Sequence, residues 1–417
     1  MTQSRFAAFS NLPFLKYFIA RFCTSFATQI LAVSIAWQMY DNTKDPALLG
    51  FIGLVQFAPA LLLVLVTGVV ADKFGRRLVM SGSIFVETLC SAIILALAVT
   101  GYFSPGVILG VLTLFRVARA FFGPSSSALV VNLVPEKDFA NAVAWNSSAW
   151  QSATIVGPVA GGLLYDASPV VAYTASTILF ATGFILIASI PKPAQRKSTQ
   201  PTTLDTLLGG FKYIFREKVV LGAISLDLFA VLLGGAIALL PVYARDILEL
   251  GPSGLGLLRA APGIGAILTV ALITSFPIHK HAGLIMFVCV AFFGLCTAIF
   301  GFSTITWVSV LVLGLVGAFD MISVYVRGAL IQLWTPDELR GRVSAVNSVF
   351  VGASNELGEF RAGMMAAWLG AVPAVVIGGI GAVGIAGVWA FLFPEMRKIQ
   401  TLEAPDRLKE QSGAQKE

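Results

Sequence analysis

Residues 48–77 read LLGFIGLVQFAPALLLVLVTGVVADKFGRR, and the first 23 of them, residues 48–70, carry no charge. A helix needs about 20 apolar residues to cross a hydrocarbon layer about 30 Å thick, because its backbone polar groups must all be satisfied within the segment. The run meets that length and stops at a basic turn. A transmembrane β-strand would show about ten residues of alternating polarity, which the uninterrupted stretch from Ala60 to Val70 rules out.

The pattern recurs along the chain. Of 417 residues, 57% are hydrophobic and 12% charged, with a mean hydropathy of +0.85, where soluble domains carry about 25% charge. Twelve spans are expected, at 14–40, 48–70, 78–100, 106–132, 140–165, 170–190, 219–244, 254–275, 282–302, 306–333, 342–368 and 371–393. The expected fold class is an all-α membrane protein with the lipid bilayer as its solvent. Arg5 and Lys16 precede an apolar run that extends to about Tyr40, too long for the core of a secretory leader and with no small-residue cleavage site behind it. That run reads as the first span. All four cysteines, Cys23, Cys90, Cys289 and Cys296, fall inside spans, so packing rather than a disulfide framework is expected.

The basic residues orient the chain. With the N-terminus inside, the cytoplasmic segments hold Arg5, Lys16, Lys73, Arg76, Arg77, Lys137, Lys192, Arg196, Lys197, Lys212, Arg216, Lys218, Lys280, Arg340 and Arg342, while external loops hold only Lys44 and Arg245. This is the asymmetry of the positive-inside rule, and an even number of spans returns the C-terminus to the cytoplasm. The net charge of +6 therefore reports topology, and nucleic acid is not an expected partner. A monomer in the bacterial inner membrane is expected.

The longest polar interval runs from Pro191 to Lys218 and divides the spans six and six. Leu204, Leu207, Leu208, Phe211 and Phe215 recur in it at helical spacing, which suits an amphipathic helix in the membrane interface as well as a plain linker. The halves are related: ALVVNLVPEKDFANAVAWNSS from Ala128 aligns with ALIQLWTPDELRGRVSAVNSV from Ala329, pairing Pro135 with Pro336 and Asn146 with Asn347 at a constant offset of 336 − 135 = 201. Gly157 falls opposite Gly358 and Gly162 opposite Gly363 at the same offset. The expected organisation is a six-helix bundle over 1–190, a cytoplasmic linker over 191–218, a second six-helix bundle over 219–393 and a cytoplasmic tail over 394–417. A duplicated unit of this kind places the substrate path between halves, near mid-membrane.

Three motifs carry mechanism. Between spans two and three, Gly68, Asp72, Gly75, Arg76 and Arg77 mark a tight turn in which Asp72 is placed to accept from helix N-terminal amides and from Arg76; an ordinary basic loop would also place its cations there. The matching segment of the second half, Thr274 to Gly283, has His279, Lys280 and His281 but no acid. On span four, Arg116 and Arg119 lie one turn apart ahead of Gly123, and an intramembrane arginine needs a partner or water. On span five, Ala153, Gly157, Pro158, Gly161 and Gly162 form a small-residue surface bent by proline.

Together these resemble the major facilitator superfamily, whose fold is two pseudo-symmetric six-helix bundles of 12 transmembrane helices with both termini cytoplasmic. The resemblance implies that the Asp72 loop acts as a conformational latch, that Arg119 biases the proton affinity of a nearby carboxylate, and that the span-five surface is an antiporter motif. The counterpart on span eleven, Asn355-Glu356-Leu357-Gly358-Glu359-Phe360-Arg361, sets Glu359 where Pro158 stands. With the loop Trp334 to Arg342, it resembles the 12-helix exporter branch of enterobactin exporters, macrolide and drug efflux pumps and transmembrane secretion effectors.

Candidate proton-coupling residues are Arg116, Arg119, Glu356, Glu359, Asp320 and Glu87, with Asp320 near the middle of its span. Arg21, Asp227, Arg259 and Arg327 are further intramembrane charges, for which a structural ion pair fits as well as a transport role; Arg21 and Arg327 sit near enough to the cytoplasmic face to snorkel. Gln29, Gln38, Asn146 and Asp227 are candidate cavity residues, since an amide facing lipid is disfavoured. The expected function is proton-coupled export of a small amphipathic molecule, drug-like or a siderophore, by alternating access. A lysophospholipid or another metabolite is the alternative cargo. An enzyme would need a metal pair, an activated nucleophile or a phosphate loop; the only histidines share one loop, and no H-E-x-x-H or P-loop pattern occurs. No metal or cofactor is expected, and a passive channel fits poorly with the unequal motifs of the halves.

Overall fold

The computed structural model describes residues 5–192, 204–278 and 280–403, with the side chains of 64, 65, 68, 69, 71, 72 and 204–208 outside that description. The chain forms α1 (Leu12–Thr43), α2 (Pro46–Phe74), α3 (Arg76–Thr100), α4 (Pro105–Val130), α5 (Phe139–Ala167), α6 (Pro169–Ala188), α7 (Leu204–Arg216), α8 (Lys218–Gly234), α9 (Pro252–Ser275), α10 (Ala282–Phe302), α11 (Thr306–Leu333), α12 (Asp337–Leu369) and α13 (Ala371–Leu392). Among the described residues there are no strands. Proline opens α2, α4, α6 and α9, where its fixed φ is already helical and its missing N–H would have had no partner. Ser168 caps α6 by accepting from the Val170 N–H at 3.2 Å.

Ten helices among the described residues are long and apolar enough to cross a membrane. α5, with 29 residues, and α12, with 33, have the length but a more polar make-up. α5 carries Asn141, Asn146 and Gln151, and α12 carries Asn355, Glu356, Glu359 and Arg361. These two are each other's repeat counterparts. Adding the offset of 201 to 139–167 gives 340–368, and adding it to 105–130 gives 306–331, against observed helices Asp337–Leu369 and Thr306–Leu333. The duplication read in the sequence is thus present in the helix boundaries.

The segment Lys218–Ile247 is interrupted rather than straight. α8 ends at Gly234, a 3₁₀ turn follows at Ile237–Leu239, and a π-helical turn occupies Tyr243–Ile247. Two glycines in succession, Gly234 and Gly235, end the regular hydrogen bonding. The carbonyls left over at the α8 C-terminus become acceptors for Arg361 of α12.

The residues gather into two compact units. The first comprises Met1–Lys44, Val55–Thr202 and Ala244–Ala260; the second comprises Asp45–Leu54, Thr203–Tyr243 and Ala261–Glu417. The first unit buries Phe14, Tyr17, Met80, Ile84, Phe122 and Leu129 together. The second buries Val219, Leu226, Met286, Phe287, Val326 and Leu330. In the second unit α10 and α13 meet through glycine, since a methyl group on Gly294 would lie 2.6 Å from the Gly379 carbonyl. Small residues at such contacts let backbones approach closely where lipid removes the hydrophobic drive for association. The outward surface bears large apolar groups, with Trp307 75%, Trp368 79% and Phe391 83% exposed, a surface suited to acyl chains and not to water. All four cysteines are free and buried.

Candidate functional site

Within the first unit, α3 and α4 bring Glu87 and Arg119 together. Glu87 is 0% exposed, and the Arg119 Nη1 lies 3.4 Å from both of its carboxylate oxygens. Three residues further along α4, Phe122 presents its ring to the same guanidinium at 4.4 Å, and to Arg21 of α1 at 5.4 Å. Arg21 also donates to the Asn146 Oδ1 of α5 at 3.1 Å, and Arg116 donates to the Gln56 carbonyl of α2 at 3.4 Å. The result is a polar network across five helices with one carboxylate, three guanidinium groups and one shared aromatic face. A carboxylate so buried needs either a cation or a proton, and a guanidinium stacked on a ring keeps its charge while losing some of its water.

The second unit holds a different set. Asp227 on α8 and Arg327 on α11 form an ion pair with side chains 8% and 7% exposed. Arg327 is therefore held in the core and does not snorkel to the surface. Arg361 on α12 donates to the carbonyls of Leu232, at 2.9 Å, and Leu233, so its cation satisfies the open C-terminal end of α8 where the helix dipole is negative. Glu359, one helical turn from its neighbour Glu356, packs against the start of α2, where a methyl group on Gly53 would lie 2.9 Å from the Glu359 Cβ. Asp320 lies on α11, half-buried, with no cation at ion-pair distance among the described residues. It is the repeat counterpart of Arg119, since 119 plus the offset of 201 is 320: a cation in one half corresponds to an acid in the other.

The remaining expected site residues fall as follows. Of the loop motif, Gly68 lies within α2, and the side chain of Asp72 is outside the described residues. Gly75 sits between α2 and α3 at φ +90°, a conformation that disfavours other residues. Arg76 donates to the Ala128 carbonyl of α4 at 3.0 Å, and Arg77 donates to the carbonyls of Ala188, at 3.3 Å, and Ile190. The two arginines thus bind carbonyls at the C-terminal ends of α4 and α6. On α5, a methyl group on Gly157 would meet the Gln29 Cβ at 2.6 Å, on Gly161 the Ile30 Cα at 2.9 Å, and on Gly162 the Pro252 carbonyl at 2.4 Å. The Pro158 carbonyl is in turn 2.4 Å from where a Gly256 methyl would stand. The small-residue surface is therefore occupied on two faces, by α1 and by the start of α9.

Of the amides expected in a cavity, Gln38 accepts from the Tyr173 hydroxyl at 2.6 Å, Asn146 serves Arg21, and Gln29 packs on Gly157. An open groove of about 550 Å³ lies elsewhere, between α9 and α11, lined by Ala261, Ile264, Leu268, Leu272, Leu311 and Leu315 among others; it is almost wholly apolar, and most of these side chains belong to the exposed apolar surface. Sequence reasoning missed two arrangements. One is the Arg361 cap on α8, signalled only by the paired glycines at 234–235. The other joins the end of α1 to the π-helical turn: Arg245 donates to Asp41 at 2.6 Å, beside the Lys44–Asp41 pair at 2.9 Å, and the Tyr40 hydroxyl donates to Asp246. Lys44-Asp45 and Arg245-Asp246 are repeat counterparts at the 201 offset, so a cation from each half converges on one carboxylate. Among the described residues no group of histidine, cysteine and acidic side chains is arranged to hold a metal ion.

The model of the transmembrane secretion effector family matches residues 3–415. The enterobactin exporter EntS of Shigella boydii serotype 4 is 23% identical over 394 residues, covering 93% of both chains. The uncharacterized MFS-type transporter YkuC of Bacillus subtilis strain 168 is 23% identical over 370 residues, covering 82% of this chain and 83% of its own. Among solved structures, a bacterial homolog of the human lysosomal transporter Spinster, inward-facing and unoccupied, superposes with a TM-score of 0.72 at 12% identity over 96% of this chain and 99% of that one.

Proposed function

Because the chain belongs to the transmembrane secretion effector family of major facilitator transporters and is a multi-pass protein of the bacterial inner membrane, not an enzyme, we propose that it exports a small amphipathic molecule in exchange for protons. Relatives that match nearly the whole chain are named as enterobactin exporters, which supports a siderophore or a drug-like compound as cargo. Twelve spans with both termini cytoplasmic, a first bundle over 1–190, a second over 219–393 and a monomer complete the reading. Asp72 with its glycine and arginine neighbours latches the loop between α2 and α3, and the α5 glycines form the sliding surface.

One observation carries the coupling. Glu87 is fully buried with Arg119 as its cation. In such a site the carboxylate holds either the cation or a proton. A proton taken from outside replaces the Arg119 contact, the halves rock, and return of Arg119 to Glu87 expels that proton inward while cargo leaves in the opposite sense. Asp320, without a cation among the described residues, is a second exchangeable site; Glu356, Glu359 and Arg116 lie on the helices that move with them. In liposomes loaded with a fluorescent substrate such as a catecholate siderophore, efflux should follow an imposed proton gradient and stop when it is collapsed. Glu87→Gln should still bind substrate yet exchange it without moving protons. Efflux indifferent to the gradient, or full coupling in Glu87→Gln, ends this assignment. A lysophospholipid is the second reading, favoured by the almost wholly apolar groove between α9 and α11, which acyl chains fit.

A further inference from the structure

α7 has two unlike sides. On one, Ile214 is 1% exposed and packs with Val220, Ile331 and Val343, and the Tyr213 hydroxyl donates to the Trp334 carbonyl. Gly210 lies so near α12 that a methyl group on it would meet the Arg342 carbonyl at 2.9 Å. On the other, Lys212 and Arg216 are exposed and Phe215 is 65% exposed. These three are spaced three and four residues apart, so they form one stripe opposite Gly210, Tyr213 and Ile214. A phenylalanine that bare would be poorly placed in water, and two flanking cations mark the pattern of a helix lying in the membrane interface. There the ring enters the boundary of headgroups and acyl chains, while the lysine and arginine stems extend along it to the phosphates.

We propose that the stripe Lys212, Phe215 and Arg216 of α7 is a binding surface for anionic phospholipid, phosphatidylglycerol or cardiolipin, in the leaflet it faces. Charge complementarity selects the partner. Two cations gain little from zwitterionic headgroups, whose own amines compete, whereas each basic residue near an anionic surface contributes about 1 kcal/mol, a roughly thirty-fold preference for the pair. The other side of α7 grips Trp334, just past the end of α11, and Arg342 near the start of α12, the helix that also bears Glu356, Glu359 and Arg361. Lipid bound to the stripe therefore holds α12 in place, and the surface is independent of what the protein exports.

The test uses the full chain in nanodiscs. Phe215→Trp places a reporter in the stripe, read as the fluorescence difference from the unsubstituted protein in the same discs. Brominated phosphatidylglycerol should quench this signal at far lower mole fraction than brominated phosphatidylcholine, and added salt should reduce the difference. Lys212→Gln with Arg216→Gln in the Phe215→Trp background should bring the two lipids to equal quenching, while Arg216→Lys keeps most of the preference. Equal quenching by both lipids in Phe215→Trp alone overturns the anionic selectivity, and no quenching by either overturns the membrane contact.

Discussion

Replacing Arg327 with methionine leaves the Asp227 carboxylate, 8% exposed, without its guanidinium among Val219, Ala223, Leu226, Ala230, Val326 and Leu330. Breaking one partner of a buried pair typically destabilises by about 3–5 kcal/mol, whereas replacing both by apolar residues of similar size is neutral or stabilising by about 1–4 kcal/mol. Arg327→Met and Asp227→Leu should each accelerate irreversible unfolding in detergent by roughly a hundred- to several-thousand-fold if the pair is already broken in the unfolding transition state. The double variant should return to within about tenfold of the parent. The measurement is the decay of the monodisperse size-exclusion peak at fixed temperature, followed by transport in liposomes. Single variants as stable as the parent, or a double variant whose loss is the sum of both, would refute the brace. A double variant that is stable yet dead for transport would instead give Asp227 the cavity role expected of an intramembrane acid.

Two further outcomes separate close packing from open space and capping from charge. Gly317→Ala drives a methyl group to 1.9 Å from the Pro262 carbonyl, backbone against backbone, while the nearest atom to a Gly314 methyl is 3.7 Å away. Gly317→Ala should destabilise the protein by about 1–3 kcal/mol or more, and Gly314→Ala should be neutral or stabilise by up to about 1 kcal/mol through helix propensity; unfolding rates in detergent order the two. Arg361→Met uncaps two carbonyls and should cost about 3 kcal/mol, and Arg361→Lys should recover less than half, because a single ammonium does not reproduce the planar fork. Equal stability of Arg361→Met and the parent would remove the capping account.

The helical rods were legible because lipid imposes a length and a polarity on each, so runs such as 48–70 and 282–302 admit little else. The internal repeat was legible for a similar reason: Pro135 and Pro336 fix φ just ahead of a helix, and Gly157 and Gly358 leave room for a neighbouring helix that a larger residue would fill. Charged partners were harder to read. Arg119 was expected beside an acid, but spacing along one helix does not say which neighbouring helix faces it, and four acids fitted; packing of α3 on α4 selects Glu87. Asp227 and Arg327 are a hundred residues apart and carry no mutual signal. Gln38 was expected to face a cavity because an amide avoids lipid, and it satisfies that rule by accepting from Tyr173. Aversion to lipid says where an amide is not, and leaves its partner open.

The two halves treat glycine and charge in opposite ways, which bears on how one fold is made directional. At the 201 offset, Gly157 and Gly358, and Gly162 and Gly363, coincide, and all four sit where a methyl group would collide with a neighbouring helix. The charges do not coincide. Arg119 corresponds to Asp320, Pro158 to Glu359, and Glu87 to Val288. A close helix contact depends on shape, and a pseudo-twofold arrangement uses the same shape twice. A proton site depends on a field, and identical fields in both halves would bind and release the proton alike. Under the proposed coupling, a buried acid with its cation in the first half, set against an acid without a cation among the described residues in the second, breaks that equivalence while leaving the glycine contacts intact. Neutralising Asp320 should therefore be more damaging to coupling than to folding: Asp320→Asn should leave the unfolding rate within about tenfold of the parent while changing the pH dependence of efflux, and an unchanged pH profile would place the asymmetry elsewhere.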